Sequence, residues 1–121
     1  MRLNKTNLYD GSFDFVDKGE LPELYLDHVL EYTESLSLYA QAVMLGGTIE
    51  ILSSDFDLIV DKYSRHLYYI DKMNEYLMQD RKFLVSLEPT VKHLQQMGFE
   101  IITKRLDPEN DTFYIKAQRT R

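Results

Sequence analysis

The chain has 121 residues, which corresponds to one domain with one hydrophobic core. Hydrophobic residues make up 44% and charged residues 28% of it, a globular composition that excludes a disordered chain. There is no cysteine, which excludes disulfides, thiolate metal sites and cysteine nucleophiles. Residues 1–80 carry 15 acidic and 6 basic side chains, whereas residues 81–121 carry 5 acidic and 8 basic ones. The net charge of −6 argues against a general nucleic-acid-binding protein, but the last third can carry a local basic patch.

Targeting signals are not recognisable. The first residues lack the apolar run of a signal peptide, and no segment reaches the roughly 18 apolar residues of a membrane span. We therefore expect a cytoplasmic protein that does not enter a membrane, either a monomer or a homodimer.

The first eighteen residues predict an irregular arm around one short strand. Phe13 and Phe15 alternate with polar neighbours between two turn signals, Asp10-Gly11 and Lys18-Gly19.

A first long helix is predicted to begin near Pro22, because proline suits the first turn of a helix, where its missing N–H has no partner. Apolar and tyrosine side chains then recur at steps of three and four residues, which places them on one stripe of a helix. They are Tyr25, Val29, Tyr32, Leu36, Tyr39 and Val43. Gly46-Gly47 is expected to end the helix, since glycine tolerates the left-handed conformation of a helix cap.

A second helix shows the same spacing. Its apolar stripe contains Phe56, Ile59, Tyr63, His66, Ile70, Met73 and Leu77. Ser53, Ser54 or Asp55 can supply the N-cap oxygen. Residues 48–52 fit either the start of this helix or a strand, because β-branched residues follow the glycine pair. We prefer a boundary at Ser53, and we expect the two helices to form an antiparallel hairpin over residues 20–80.

The last third, residues 81–121, predicts a helix followed by a β-hairpin. Ser86 can cap the helix, Pro89 lies in its first turn, and Gly98 ends it. Residues 99–106 and 112–118 alternate apolar and polar side chains around a turn at 107–111, as antiparallel strands do.

These elements predict an α+β fold in a single domain, residues 1–121. The helical hairpin and the third helix pack on a small, mainly antiparallel sheet. Residues 13–16 or 49–52 are expected to add a flanking strand to that sheet.

Residues for catalysis are not apparent. His28, His66 and His93 lack the spacing of metal ligands, and Gly46-Gly47-Thr48 lacks the lysine of a phosphate-binding loop. No dinucleotide-binding fingerprint occurs. We therefore expect a protein that is not an enzyme, with no catalytic residue, no metal and no cofactor.

Acidic residues on the first predicted helix suggest a function. They recur every three or four positions, which puts them on one side of that helix: Glu20, Glu23, Asp27, Glu31 and Glu34. A row of like charge can steer association with a basic surface. The leading hypothesis is a non-enzymatic regulatory or inhibitory protein that docks the basic surface of a protein partner through this acidic helical face.

The alternative is a DNA-binding regulator. A capped helix from Ser86 to Leu94, Gly98-Phe99 and a hairpin with an Asp-Pro-Glu turn resemble the recognition helix and wing of winged-helix regulators. The resemblance implies that Lys92 and His93 face the bases of duplex DNA. It also implies phosphate contacts from the wing. The residues concerned are Lys104, Arg105 and Lys116.

Overall fold

The computed structural model of the protein describes residues 1–4, 6, 13, 16–33, 36–65, 71, 75 and 83–121. The strands are β1 (Arg2–Leu3), β2 (Leu21–Asp27), β3 (Val43–Ser54), β4 (Phe99–Asp107) and β5 (Thr112–Arg119). The helices are α1 (Leu36–Gln41), α2 (Phe56–Tyr63) and α3 (Leu87–Gln96).

The five strands form one mixed sheet in the order β1-β2-β3-β5-β4. Strands β1, β2 and β3 are parallel to one another, whereas β5 runs antiparallel to both of its neighbours, β3 and β4. The predicted α+β arrangement of a helical hairpin on a small antiparallel sheet is therefore wrong. The two ends of the predicted first helix, residues 22–27 and 43–47, lie in the parallel part of this sheet instead.

One face of the sheet carries the core. Alternate residues of a strand point to opposite faces, so the buried isoleucines of β3 and the buried apolar residues of β5 lie on the same side. These are Ile49, Ile51, Phe113, Ile115 and Ala117, all fully buried. Helix α3 covers this face with Leu87, Val91 and Leu94.

The region predicted as the first helix contains β2, a loop, the short helix α1 and the start of β3. Leu24 and Leu26 are buried, while Glu23 before them and Tyr25 between them are not, which is the period of a strand. Burial of these leucines between β1 and β3 outweighs the helical spacing, because intrinsic propensity and periodicity are weak against tertiary packing.

Gly46-Gly47 does not end a helix but lies in an irregular part of β3. Leu21 pairs with Val43 and Glu23 pairs with Thr48, so four residues of β3 stand opposite Pro22. Pro22 has no N–H to give to the ladder, which suits a bulge. A Cβ at Gly47 would lie 2.8 Å from the Pro22 carbonyl oxygen, so the close approach requires glycine.

The boundary between β3 and α2 agrees with the sequence. Residues 48–52 adopt the strand alternative, and Asp55 is the N-cap of α2, accepting a hydrogen bond from the Leu58 N–H at 3.0 Å. The remaining predicted positions of the second helix, from His66 to Leu77, lie outside the described residues.

The helix and hairpin of the last third are confirmed. Helix α3 and the antiparallel pair β4–β5 lie where the sequence predicts them. Ser86 occupies the N-cap position, but its side chain makes no capping hydrogen bond. Gly98 ends the helix with a φ of +92°, a conformation that favours glycine.

The short strand predicted in the arm is wrong at its first position. Phe13 lies in a tight helical turn, and its ring packs against Tyr39 with 4.8 Å between the ring centroids. Phe15 lies outside the described residues.

Candidate functional site

The carboxyl ends of the parallel strands meet at one edge of the sheet. Strand β2 ends at Asp27 beside Leu52 of β3, and the His28 N–H continues the ladder by donating to the Leu52 carbonyl at 2.9 Å. In open α/β sheets, ligands bind in the crevice outside the carboxyl ends of the strands. This edge is therefore the expected position of a binding site.

A buried carboxylate lies at this edge. Glu31, in the loop after β2, is 1% exposed although it belongs to a residue type that is almost never fully buried unless paired. One carboxylate oxygen accepts a hydrogen bond from the Ser53 hydroxyl at 3.0 Å. The other accepts the Ser54 N–H at 3.3 Å and contacts His28 Nδ1 at 2.6 Å. Strand β3 thus fixes the carboxylate, and the carboxylate fixes the imidazole.

The backbone of His28 is unusual. Its φ is +56°, in the left-handed region that few residues other than glycine adopt. Such conformations persist only where the surroundings hold them, and they cluster at active sites. Its side chain is 39% exposed, whereas that of Glu31 is 2% exposed. The imidazole therefore reaches solvent while its carboxylate partner does not.

The electrostatics of Glu31 are set by opposing effects. Burial is the largest of them and by itself raises the pKa of the carboxyl group. The hydrogen bond and charge of His28 and the hydrogen bonds from Ser53 and Ser54 together outweigh burial, so the pKa lies below its ordinary value. Glu31 is consequently an anion at neutral pH, as a partner that orients a histidine must be.

A second buried carboxylate, Asp55, follows β3 at the same edge. It is 1% exposed. One of its oxygens accepts the Leu58 N–H at 3.0 Å and the other accepts the Leu87 N–H at 3.0 Å. Asp55 therefore caps α2 and α3 together, doing for α3 what the Ser86 side chain was expected to do.

The predicted acidic helical face does not exist, because its members do not share a helix. Glu20 precedes β2, Glu23 and Asp27 are strand residues, and Glu31 is buried in the loop. Asp27 forms an ion pair of 2.7 Å with Arg2. Glu34 lies outside the described residues. Whether the exposed members contact a partner stays a prediction.

The five predicted DNA contacts do not converge on one face. Lys104 and Arg105 are consecutive residues of β4 and therefore point to opposite sides of the sheet. Lys104 pairs with Glu88 of α3 at 3.0 Å, and the Arg105 guanidinium lies 4.4 Å from the Tyr114 ring centroid.

The other three contacts are spread over α3 and β5. Lys92 is exposed on α3, while His93, one residue further on, contacts the Ser37 hydroxyl at 3.1 Å. Lys116 is half-buried on β5, opposite Glu50.

Sequence reasoning missed the pair of His28 and Glu31. It assigned Glu31 to an exposed stripe and found no partner for His28. The available signal was the alternation of Leu24 and Leu26 with charged and polar residues, which indicates a strand that ends at Asp27. A histidine and a glutamate just after a buried parallel strand are positioned for a site.

Comparisons with known proteins agree on the fold. No family model and no curated protein matches the sequence. Solved structures do match it. An S-adenosylmethionine-dependent methyltransferase from Mesorhizobium loti superimposes with a TM-score of 0.62 at 16% identity, over 86% of this chain and 64% of that chain. A putative S-adenosylmethionine-dependent methyltransferase from Listeria monocytogenes gives a TM-score of 0.63 at 11% identity, over 88% of this chain and 64% of that chain.

A third match is magnesium protoporphyrin IX methyltransferase from Synechocystis. Its TM-score is 0.58 at 13% identity, over 84% of this chain and 46% of that chain. The chain has a methyltransferase-like α/β fold. It spans less than two thirds of the length of these three structures.

These matches overturn the predicted function. A non-enzymatic regulatory or inhibitory protein, and the alternative of a DNA-binding regulator, are both wrong, because the fold is one that enzymes of methyl transfer share. The winged-helix resemblance rested on α3 and the β4–β5 hairpin, which here are the end of a five-stranded mixed sheet and its covering helix. In the described part of the chain, no helix has the length and apolar character needed to cross a membrane.

Proposed function

We propose that this chain supplies the acceptor-activating part of an S-adenosylmethionine-dependent methyltransferase, with His28 as the general base. Two observations support the proposal. The fold is like that of the methyltransferases, and a histidine held by a buried carboxylate lies at the carboxyl edge of the sheet. The contact between His28 Nδ1 and Glu31 is the observation that carries it.

The fold implies a methyl donor, but the residues of this chain do not fit one. In doubly wound sheets the nucleoside ligand rests on a glycine-rich turn after the first strand, where the backbone must approach it closely. The sequence contains no Gly-x-Gly. The carboxylates Asp27, Glu31 and Asp55 already bind Arg2, Ser53 and the ends of two helices. These residues are suited instead to activating the methyl acceptor.

The proton transfer follows from the tautomer of His28. Because Glu31 is anionic, His28 donates its Nδ1–H to it, which leaves on Nε2 the lone pair that accepts a proton in the proposed step. A hydroxyl or amine of the acceptor gives that proton to Nε2 and becomes the stronger nucleophile. The resulting imidazolium is stabilised by the Glu31 carboxylate, and its proton passes to water afterwards.

Location and assembly remain part of the proposal. A cytoplasmic protein fits the cysteine-free composition. Cell fractionation tests the location, and size-exclusion chromatography distinguishes a monomer from a homodimer.

The test is methyl transfer by the tagged protein, purified under native conditions from the cells that produce it. Transfer of radiolabelled methyl from S-adenosylmethionine to a small-molecule extract is measured for the parent and for His28→Asn. Asparagine tolerates the left-handed backbone of position 28, so the variant should fold. We expect a loss of about 10²-fold or more, as for removal of a general base.

A matched pair of substitutions controls this experiment. Glu31→Gln should lower the rate because a neutral amide neither fixes the tautomer nor stabilises the imidazolium. Glu88→Gln, at an exposed ion pair on α3, should leave the rate unchanged. Methyl transfer by His28→Asn at the parental rate would refute the proposal.

A further inference from the structure

A cavity of about 300 Å³ lies between the loop after β2 and helix α3. Its apolar lining comes from Leu30, Leu36, Phe83, Leu84, Val85 and Pro89. The Phe83 N–H donates to the carbonyl of Glu31 at 3.2 Å, so one wall of the cavity is tied to the loop that carries the His28–Glu31 pair. Pockets of this kind, mostly apolar with a few polar groups, are the usual form of a small-molecule site.

The polar groups of the cavity are few: three hydroxyl groups and one imidazole. They belong to Thr33, Ser86, Thr90 and His93. The Thr90 hydroxyl already donates to the Ser86 carbonyl at 2.8 Å, and His93 Nε2 contacts the Ser37 hydroxyl at 3.1 Å. Among the described residues that line the cavity there is no aspartate, glutamate, lysine or arginine. The described lining therefore holds no carboxylate, ammonium or guanidinium group that could neutralise a charged ligand.

The volume indicates the size of a ligand that fits inside the cavity. One water molecule occupies about 30 Å³ in the liquid, so the cavity corresponds to about ten water volumes. A molecule of about ten non-hydrogen atoms, the size of a substituted phenol, matches this volume.

We infer that this cavity binds the methyl acceptor, and that the acceptor is a small, neutral, mainly apolar molecule with one phenolic hydroxyl or aromatic amine. The inference rests on the proposed function for its link to methyl transfer. Binding itself depends only on the cavity. Leu30 and Thr33 line the cavity and flank Glu31 in the sequence, and Glu31 is the partner of the proposed base His28.

The test uses 4-ethylphenol as the neutral probe, with tyramine and 4-hydroxybenzoate as charged analogues of similar size. Binding to the full chain is measured by calorimetry or by NMR titration without a methyl donor. We expect a Kd below about 1 mM for 4-ethylphenol, within what a ligand of this size achieves. Tyramine and 4-hydroxybenzoate should bind at least about tenfold more weakly, because each charge would be desolvated without a partner.

Two exposed leucines provide a matched pair of variants. Leu84 is 51% exposed and lines the cavity, whereas Leu38 is 55% exposed and does not. Leu84→Trp should weaken binding of 4-ethylphenol about tenfold or more, because the larger side chain takes up space in the cavity. Leu38→Trp should leave the Kd within about twofold, because Leu38 does not line the cavity. Should Leu84→Trp not fold, as judged by circular dichroism, Val85→Trp serves in its place.

The outcomes separate this inference from the proposed function. His28→Asn should keep the Kd for 4-ethylphenol while it loses methyl transfer. Equal binding of the neutral and charged probes, or unchanged binding by the cavity variants, overturns the acceptor site and leaves the role of His28 standing. Retained methyl transfer by His28→Asn, with the expected probe binding, overturns the base and leaves the cavity standing.

Discussion

Two neighbouring parallel strands, β2 and β3, are each followed by a buried carboxylate, and the two carboxylates have different partners. Asp55, after β3, binds the backbone N–H groups of Leu58 and Leu87. Glu31, after β2, binds the side chains of His28 and Ser53 and one backbone N–H. Both groups are 1% exposed, so the difference between them is one of partners and not of burial.

The partners of each carboxylate determine what that carboxylate can do. Asp55 binds backbone N–H groups alone, so its hydrogen bonds are structural and begin two helices. A histidine changes its charge near neutral pH, so the bond between Glu31 and His28 depends on protonation. The first arrangement stabilises the fold around the site, and the second makes the site chemically responsive.

The largest expected effect is on stability, from Asp55→Ala. This substitution removes the caps of α2 and α3 together. Each N-cap contributes about 0.5–2 kcal/mol, so we expect a loss of about 1–4 kcal/mol in the free energy of unfolding. Urea denaturation measures it. Asp57→Ala, an exposed position in the first turn of α2, is the control and should cost less than about 1 kcal/mol. Equal losses in the two variants would show that Asp55 is not a double cap.

The second effect, from Glu31→Gln, combines stability with pH. At pH 7 the variant should lose about 1–3 kcal/mol, because a neutral amide leaves part of the buried hydrogen-bonding set unsatisfied. The pKa of Glu31 is lower in the folded state than its ordinary 4.5, so its stabilising effect is complete above that value. It is lost as the pH falls through the lowered pKa.

Thermal unfolding of parent and variant from pH 7 to pH 2.5 measures this dependence. The difference between them should shrink at acid pH, as the pH falls through the lowered pKa of Glu31. Glu88→Gln, which breaks the exposed pair with Lys104, should cost less than about 1 kcal/mol. A difference between parent and Glu31→Gln that grows as the pH falls would contradict the lowered pKa.

The last third was predictable from sequence because its signals are local. A capped helix, a glycine at its end and two alternating strands around a turn specify α3, β4 and β5 without reference to distant residues. The start of α2 was predictable for the same reason, with its cap Asp55 as one of three candidates beside Ser53 and Ser54. Strand β2 was not, since Tyr25, Val29 and Tyr32 give a helical spacing while Leu24 and Leu26 give the spacing of a strand. Pairing with β1 and β3 decides between these two readings, and it involves residues far apart in the chain.

The candidate site was not predictable because it is made by that same pairing. The Ser53 hydroxyl reaches Glu31 across 22 positions of sequence, and Leu87 reaches Asp55 across 32. Neither separation, 22 or 32 positions, corresponds to a pattern that can be recognised in a sequence. Glu31 could be recognised as buried only once β2 was known to end at Asp27, since a helix would have placed it among exposed acidic residues.

The smallest expected effect concerns a third carboxylate, Glu50, on the opposite face of β3, and it extends the comparison to a partner that titrates at high pH. The Tyr114 hydroxyl donates to Glu50, and its pKa is raised to about 12, chiefly by burial and then by this hydrogen bond and the charge of Glu50. Glu50→Gln should therefore lower the pKa of Tyr114 while leaving it above 10, because burial, the larger cause, is unchanged. Absorbance at the tyrosinate band during alkaline titration measures this pKa, with Tyr114→Phe identifying which of the nine tyrosines is responsible.

A folded-state pKa above the unfolded value gives a stabilising effect that is present below pH 10 and is lost as the pH rises through the raised pKa. Parent and Glu50→Gln should differ little in stability at pH 7, by less than about 1 kcal/mol as for a half-buried pair at a surface. An unchanged pKa of Tyr114 in Glu50→Gln would show that burial alone sets it.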